Sequence, residues 1–99
     1  MEIKSKNDYA KDSIVFDKDN INYDSDSLWF NFEFLRSVEF VLRNQLHKNG
    51  YLYLNQVYEM LGAKWDPENT NYCFKSDSND ICFEIFENDG VYTIYILCE

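Results

Sequence analysis

Carboxylates dominate the chemistry available to this sequence: the chain carries 18 Asp and Glu against 9 Lys and Arg, a formal net charge of −9. One group of these acids gathers around the Asp89-Gly90 turn signal, where a rigid strand pair would present the group to a basic protein surface. Tyrosines near the same turn could supply aromatic anchors. The predicted partner-binding residues are Asp77, Asp80, Glu84, Glu87, Asp89, Tyr92 and Tyr95.

The sequence offers few side chains suited to a catalytic or metal-binding site. The single histidine, His47, falls at the end of a helix-like segment, and no nucleophile–histidine pair is recognisable. Cysteines in apolar, strand-like segments without a Cys-x-x-Cys pair are typical of buried thiols rather than of a zinc site. The acidic stretch 17–26 lacks the glycine of a calcium-binding EF-hand loop. We therefore expect no catalytic residue, no metal and no cofactor.

The sign and distribution of the charge restrict the partner. Residues 50–99 hold nine acids and two lysines, net −7, residues 1–26 hold seven acids and four lysines, net −3, and residues 27–49 are net +1. Such a surface repels nucleic acid and anionic lipid, so we expect neither as a direct partner. No apolar run approaches the ~20 residues of a membrane-spanning helix, and unpaired cysteines fit a cytoplasmic protein.

Apolar residues at steps of three and four predict one long helix near 31–49, with position 27 as the alternative start. Ser27 or Asn31 could cap its start, and Gly50 supplies its stop. Along it, Glu39–Arg43 and Glu33–Arg36 are expected charge pairs. The stripe expected to face the core is Leu28, Phe32, Leu35, Val38, Leu42 and Leu46, widened by Phe34 and Val41.

Shorter elements follow this helix. A strand over 51–54 leads to a short helix, 56–61, with Asn55 as its expected cap. Strands over 72–75, 81–87 and 91–98 then predict an antiparallel meander. A two-residue turn at Asp89-Gly90 pairs the strand residues of one face, and those pairs are Ile85 with Ile94, Phe83 with Ile96 and Ile81 with Cys98. The mixed opposite face, with Phe86 and Tyr95, is either half exposed or covered by a partner.

These elements predict an α+β fold, with a long helix and a short helix packed on a three- to four-stranded antiparallel sheet that ends in the meander. Residues 27–99 are expected to form this single domain, and residues 1–26 an acidic, partly mobile N-terminal arm. Within the arm, residues 14–16 could be an edge strand or a docked extended segment. The predicted core residues are Leu35, Val38, Leu42, Phe83, Ile85, Ile94 and Ile96.

One stretch of the sequence resembles a known family. A helix containing Phe34-Leu35 and Leu42-Arg43-Asn44-Gln45-Leu46 leads through Gly50 and Tyr51-Leu52-Tyr53-Leu54 into Asn55-Gln56-Val57-Tyr58-Glu59-Met60-Leu61-Gly62. This pattern is similar to a family of small phage-encoded proteins of unknown function, in which antiparallel strands follow. The resemblance covers residues 32–97 and implies a phage or prophage origin and a compact α+β fold. It implies no catalytic residue.

Size, acidity and apparent origin together favour a binding function. The chain resembles, in these properties, small inhibitors of host nucleic-acid-dependent defence enzymes, of the anti-CRISPR kind. Such an inhibitor would act in the host cytoplasm and would occupy the basic surface that the enzyme uses for nucleic acid. The alternative is a phage structural or assembly protein that acts by self-association.

Overall fold

The computed structural model describes residues 13–64, 67, 73–75 and 80–98, with the backbone alone for 97 and 98. The described chain forms two helices and five strands, and it confirms the α+β prediction. In chain order the elements are β1 (Ile14–Phe16), α1 (Leu28–Asn49), β2 (Tyr51–Tyr53), α2 (Leu54–Leu61), β3 (Cys73–Lys75), β4 (Ile81–Asn88) and β5 (Val91–Cys98). Residues 1–12 of the expected N-terminal arm lie outside the described residues.

Helix α1 begins directly after Ser27, one of the two residues that were expected to cap it. Ser27 Oγ accepts a hydrogen bond from the Phe30 N–H at 3.0 Å, so Ser27 is the N-cap. Gly50 ends the helix with φ of 83°, and its N–H donates to the Leu46 carbonyl at 2.8 Å. Asn31, the other expected cap, lies inside the helix and is fully buried.

The buried face of α1 is narrower at its N-terminal end than the sequence predicts. Leu35, Val38, Leu42 and Leu46 are buried as expected, but Leu28 is 54% exposed. The first turn packs on the preceding loop through Asn31, whose side chain exchanges hydrogen bonds of 2.7 and 2.8 Å with the backbone of Asp24. Polar contacts therefore occupy the place where Leu28 was expected to find an apolar neighbour.

Phe32 and Val41 lie at the margins of the buried stripe and not in it, with 39% exposure each. The guanidinium carbon of Arg36 lies 5.3 Å from the centre of the Phe32 ring and covers part of that ring. Phe34, on the other margin, is partly buried and stacks on Phe16 with ring centres 5.6 Å apart. The helix therefore keeps an aromatic margin on both sides of its core face.

The charge pairs on α1 differ from the expected ones. Arg36 Nη1 lies 2.9 Å from Glu39 Oε1, and Arg43 Nη2 lies 2.9 Å from Asp80 Oδ2, so the predicted Glu39–Arg43 and Glu33–Arg36 pairs are wrong. The cause is the burial of Glu39, which is 8% exposed. Its second oxygen accepts the backbone N–H of Phe83 at 2.6 Å, which turns the carboxylate toward β4 and away from Arg43.

The three-stranded antiparallel sheet has the order β1-β5-β4. The hairpin of β4 and β5 has the predicted register, with Ile85 opposite Ile94, Phe83 opposite Ile96 and Ile81 opposite Cys98. Of the two alternatives for residues 14–16, the structure forms the edge strand, which pairs with β5 and places Phe16 opposite Tyr92. Phe16 is fully buried, so this segment contributes directly to the core.

Strand β3 does not continue this sheet. It pairs with β2 in a separate two-stranded sheet in which Leu52 lies opposite Phe74. The backbone edge of β4 is occupied at Phe83, where the N–H donates to Glu39 and the carbonyl accepts from Arg36 at 3.1 Å. Side chains of α1 thus take the position that the first strand of the expected meander would need.

Helix α2 begins earlier than the sequence predicts, at Leu54, and its N-cap residue is Tyr53. The Tyr53 N–H donates to Gln56 Oε1 at 2.8 Å, a bond that supports the first turn. The predicted cap, Asn55, lies within this first turn and is 5% exposed. The prediction that Asn55 caps the helix is therefore wrong, although the stop at Gly62, with φ of 80°, is confirmed.

The core joins α1, α2 and both sheets. Six of the seven predicted core residues are buried, and Ile85 is partly buried against them. The sequence did not identify the aromatic pair that closes the core beneath the edge strand, in which Phe16 and Tyr92 meet edge to face with ring centres 6.0 Å apart.

Leu42→Ala tests the α1 core face. Leu42 is fully buried, so its truncation leaves a cavity and should lower the free energy of unfolding by about 2–5 kcal/mol. The measurement is chemical denaturation followed by circular dichroism. A loss below about 0.5 kcal/mol, the size of an ordinary surface substitution, would contradict the assignment of this face.

Glu39→Ala tests the polar contact between α1 and β4. The substitution leaves the Phe83 N–H without its acceptor in a buried position, which should cost about 1–3 kcal/mol of unfolding free energy. Glu39→Gln is the comparison variant, because its amide oxygen can still accept from Phe83, whereas its NH2 group cannot accept from Arg36. It should therefore cost less than the alanine variant. Equal denaturation midpoints for the alanine variant and the parent would contradict the structural role of the carboxylate.

Candidate functional site

The tip of the β4–β5 hairpin is a two-residue turn in which both residues have positive φ, 54° at Asp89 and 79° at Gly90. This is the turn that Asp-Gly favours between antiparallel strands, because its twist matches that of the strands. The Gly90 N–H donates to Glu87 Oε2 at 2.8 Å, and the Gly90 carbonyl accepts from Tyr23 Oη at 2.8 Å. The tip is therefore fixed from both sides.

The loop between β1 and α1 brings a further carboxylate to this tip. Asp17, Lys18 and Tyr23 line a depression of about 250 Å³ together with Asp89, Gly90 and Val91. We call the exposed or half-exposed carboxylates of this region, Asp17, Glu87 and Asp89, the acidic hairpin end.

The loop that carries Asp17 is held by its own short-range hydrogen bonds. Asp17 Oδ1 accepts the Asp19 N–H at 3.0 Å, and Asn20 Oδ1 accepts the Asn22 N–H at 2.8 Å. Asn20 also donates to the Leu61 carbonyl at 2.9 Å, which ties the loop to the end of α2. Asp17 is thus placed by a braced loop, and Glu87 and Asp89 by a hairpin.

The predicted acidic group does not form one cluster. Asp80 precedes β4 and Glu87 lies near its other end, so seven extended residues, roughly 23 Å, separate the two. Glu84 lies between them, half-buried, on the face that carries Tyr95. Asp77 lies outside the described residues. Of the four predicted acids that the structure describes, Glu87 and Asp89 belong to the acidic hairpin end.

Asp80 is paired within the molecule. Arg43 Nη2 lies 2.9 Å from one carboxylate oxygen and His47 Nε2 lies 3.3 Å from the other. Burial opposes ionisation of this carboxyl, but hydrogen bonds from Arg43, the Ile81 N–H and His47 outweigh it and lower the pKa of Asp80 below its usual value. The charge of Asp80 is therefore largely compensated by α1.

Tyr92 is a core residue and cannot serve as a surface anchor. It is 1% exposed, and its hydroxyl donates to the Leu28 carbonyl at 2.9 Å. Burial and the neighbouring Glu87 raise the pKa of the Tyr92 hydroxyl. The alternation of the strand accounts for this, because Tyr92 shares its face with Ile94 and Ile96, which the sequence already placed in the core.

Tyr95 lies on the opposite, outward face of the hairpin and is partly buried. Its ring meets that of Phe86 edge to face, with centres 5.8 Å apart, and Phe86 is 53% exposed. Tyr95 therefore remains a candidate contact residue, in company with an aromatic side chain that was not among the predicted site residues.

Exposed aromatics on α1 were not predicted as functional. Trp29 is 73% exposed and Phe40 is 65% exposed, and both project away from the core. The helical period could have identified this exposed side from the sequence. Trp29 and Phe40 are eleven positions apart, about three helical turns, and both lie opposite the buried stripe of Leu35, Val38 and Leu42. A depression of about 460 Å³ adjoins Phe40, and its lining is Arg36, Glu39, Phe40, Arg43, Asn44, His47 and Asp80.

The remaining side chains show little that suggests other chemistry. Across the described ranges, no group of three or more His, Cys, Asp and Glu residues is placed to hold a metal ion. The thiols of Cys73 and Cys82 are half-buried, and each lies within hydrogen-bonding distance of the next residue's carbonyl, at 3.6 and 3.9 Å. None of the helices in the described part of the chain combines the length and apolar composition that a membrane span requires.

Comparisons of the chain with protein-family models, with curated proteins and with solved structures gave no match.

Gly90→Ala tests the anchoring of the hairpin tip, with Gly50→Ala as the matched control. Both glycines have φ near 80°, where a Cβ costs about 1–2 kcal/mol, but only at Gly90 would that Cβ lie 2.9 Å from Tyr23 Oη. Gly90→Ala should therefore lower the free energy of unfolding more than Gly50→Ala, as measured by denaturant titration.

Tyr23→Phe separates the two contributions at the tip. Without the hydroxyl, the additional cost of Gly90→Ala over Gly50→Ala should disappear. A cost that is the same in both backgrounds would show that Tyr23 does not hold the turn.

Proposed function

We propose that this protein is a phage-encoded inhibitor of a host nucleic-acid-dependent defence enzyme, and that it acts in the host cytoplasm by occupying the enzyme's basic nucleic-acid-binding surface. The observation that carries the proposal is the acidic hairpin end. Asp17, Glu87 and Asp89 are exposed or half-exposed on a tip that Tyr23 and Glu87 brace through hydrogen bonds.

The rigidity of the tip supports binding. A charged group that already occupies its bound position loses little conformational entropy when the complex forms. The acidic hairpin end faces little compensating charge, since Lys18 is the one cation lining its depression among the described residues. The net charge of −9 extends the field beyond the contact and steers a basic partner toward the protein.

We infer the class of partner from the kind of protein that has a large basic groove. Nucleic-acid-binding enzymes hold rows of Lys and Arg that neutralise phosphates. A small acidic protein competes for these side chains and excludes the nucleic acid. The phage origin rests on the resemblance of residues 32–97 to small phage-encoded proteins, with its most distinctive segment at residues 50–62.

The second candidate function is a phage structural or assembly protein that acts by self-association. The exposed apolar side chains of α1, led by Trp29 and Phe40, favour it, because monomeric proteins seldom expose large contiguous apolar patches. Oligomeric state discriminates the two. A ring or an open higher oligomer at micromolar concentration supports assembly, and a small closed species that binds a basic enzyme supports inhibition.

Glu87→Gln/Asp89→Asn tests the acidic hairpin end, with Glu59→Lys as the control. Both variants change the net charge by two units, but Glu59 lies exposed on α2. The partner is captured from host-cell lysate and identified by mass spectrometry, and association rates are then measured at low and high salt. The hairpin variant should associate about tenfold or more slowly at low salt, because interface charges act mainly on association.

Two results would contradict the proposal. Equal association rates for the hairpin variant, Glu59→Lys and the parent would remove the acidic hairpin end as the contact. A captured partner whose nucleic-acid binding is unaffected by saturating amounts of this protein would remove competition as the mechanism. Loss of binding on Phe86→Ala alone would instead assign the contact to the Phe86–Tyr95 face.

A further inference from the structure

One line of α1 faces away from the core along the length of the helix. Its residues recur at steps of four and three, which keeps them on one side of an α-helix. We call this line the outer α1 face, and its residues are Trp29, Glu33, Arg36, Phe40, Arg43 and His47.

The outer α1 face exposes aromatic surface close in size to the largest apolar patch of an ordinary monomer. Trp29 and Phe40 on this face are 73% and 65% exposed, and Phe32 at its edge is 39% exposed. Taken at about 200 Å² for each full side chain, these three leave about 350 Å² of aromatic surface in contact with solvent. The largest apolar patch of an ordinary monomer reaches about 300–600 Å² and is often functional.

The exposed polar residues between these aromatics add to the surface area that the face can bury in an interface. Side chains of Arg36, Arg43 and His47 are 40%, 46% and 56% exposed, and Glu33 is exposed as well. A standard subunit interface takes about 800 Å² from each partner. A helix of 22 residues, about 33 Å long, presents its aromatic and polar outer side chains together to that contact.

The order of residues along the face identifies the partner. The steps between residues of the outer α1 face read the same in both chain directions. A second α1 that runs antiparallel can therefore match this face residue for residue, with position 38 as the midpoint along the helix. Glu33 of one copy then faces Arg43 of the other, an ion pair. Arg36 faces Phe40, a cation–aromatic contact, and Trp29 faces the imidazole ring of His47, a contact between two rings.

A parallel arrangement has no such complementarity. It would place Arg36 against Arg36, Arg43 against Arg43 and Glu33 against Glu33, and like charges in direct opposition are unfavourable. Antiparallel packing also sets the two helix dipoles in opposite directions. Arg43 can serve both Asp80 within its own chain and Glu33 of a second copy, because a guanidinium carries five N–H donors.

We infer that two copies of this chain form a dimer through their outer α1 faces, packed antiparallel about a two-fold axis that passes between Arg36 and Phe40, at the level of position 38 along the helix. Alternating steps of four and three favour a shallow helix crossing of about 20°. A two-fold contact uses the same face on both copies, so it closes at two and does not propagate. The inference is independent of the proposed inhibition, because it uses no residue of the acidic hairpin end, and it assigns the aromatics that favour the second candidate to a closed pair of copies.

A charge exchange tests the register of this dimer on the full chain. Analytical ultracentrifugation between about 1 μM and about 100 μM should show the parent converting from 11.9 kDa to twice that mass. Glu33→Arg opposes two arginines across the interface and Arg43→Glu opposes two glutamates, so each alone should weaken dimerisation about tenfold or more. Mixing the two variants should restore dimers, since every facing pair is then of opposite charge.

Matched controls separate the face from general effects of charge and apolar area. Glu59→Arg repeats the charge change of Glu33→Arg on α2, and Phe86→Ala repeats the aromatic truncation of Phe40→Ala on the hairpin. Phe40→Ala should weaken dimerisation, and both controls should leave it unchanged. Far-ultraviolet circular dichroism of each variant confirms that helix content is retained.

Three results would overturn the inference. The first is a parent that stays at 11.9 kDa throughout the concentration range. The second is a species that grows beyond two copies, which would assign the aromatic face to open assembly. The third is a dimer that Glu33→Arg, Arg43→Glu and Phe40→Ala leave unchanged, or one that the mixture of charge variants does not restore, because either places the contact elsewhere on the surface.

Discussion

The buried carboxylate of Glu39 is the interaction on which the arrangement of helix and sheet depends. One of its oxygens accepts the Phe83 N–H at 2.6 Å and the other accepts Arg36 at 2.9 Å, while Arg36 also reaches the Phe83 carbonyl at 3.1 Å. A carboxylate this deeply buried is tolerated only when its oxygens are satisfied. Apolar packing is non-directional, and this contact adds a directional constraint between α1 and the hairpin, beside those of Tyr92 with Leu28 and Arg43 with Asp80.

Both surfaces with a proposed role include residues of the elements that this contact joins. Arg36 and Glu39 occupy the edge of β4 at Phe83, and β3 pairs with β2 and not with this edge. At the tip of the β4–β5 hairpin, Glu87 and Asp89 are exposed. The same residue, Arg36, covers the Phe32 ring on the solvent side of α1. A single pair of side chains thus connects the core contact of the helix to the orientation of its outward face.

What the sequence predicted well is local in the chain. The Asp89-Gly90 turn, the alternation of β4 and β5 and the stop at Gly50 depend on residues within a few positions of one another, and the structure has all of them. What it missed depends on distant partners. Nothing near Glu39 in the sequence indicates that its acceptor oxygens meet the backbone of Phe83, and this contact occupies the β4 edge that β3 was expected to join.

The same difference between local and long-range contacts applies to the candidate site, where one of the wrong predictions was avoidable. Glu87 and Asp89 were placed correctly at the tip because the turn is local, whereas the arrival of Asp17 required the loop contact between Tyr23 and Gly90. Tyr92 was misplaced although its alternation with Ile94 already indicated the core side. For Asp80, the compensation by Arg43 depends on a contact across 37 positions of chain that no local pattern reports.

The pairing of β1 with β5 also determines when this protein can fold during synthesis. Its central strand, β5, is synthesised after the other described elements, and the Tyr23–Gly90 contact spans 67 positions. Loop closure over such a span is entropically costly and slow, whereas α1 and α2 need only neighbours in the chain. On the ribosome, α1 therefore emerges with its buried stripe uncovered, and Leu35, Val38 and Leu42 stay open to chaperones until the β4–β5 hairpin is released.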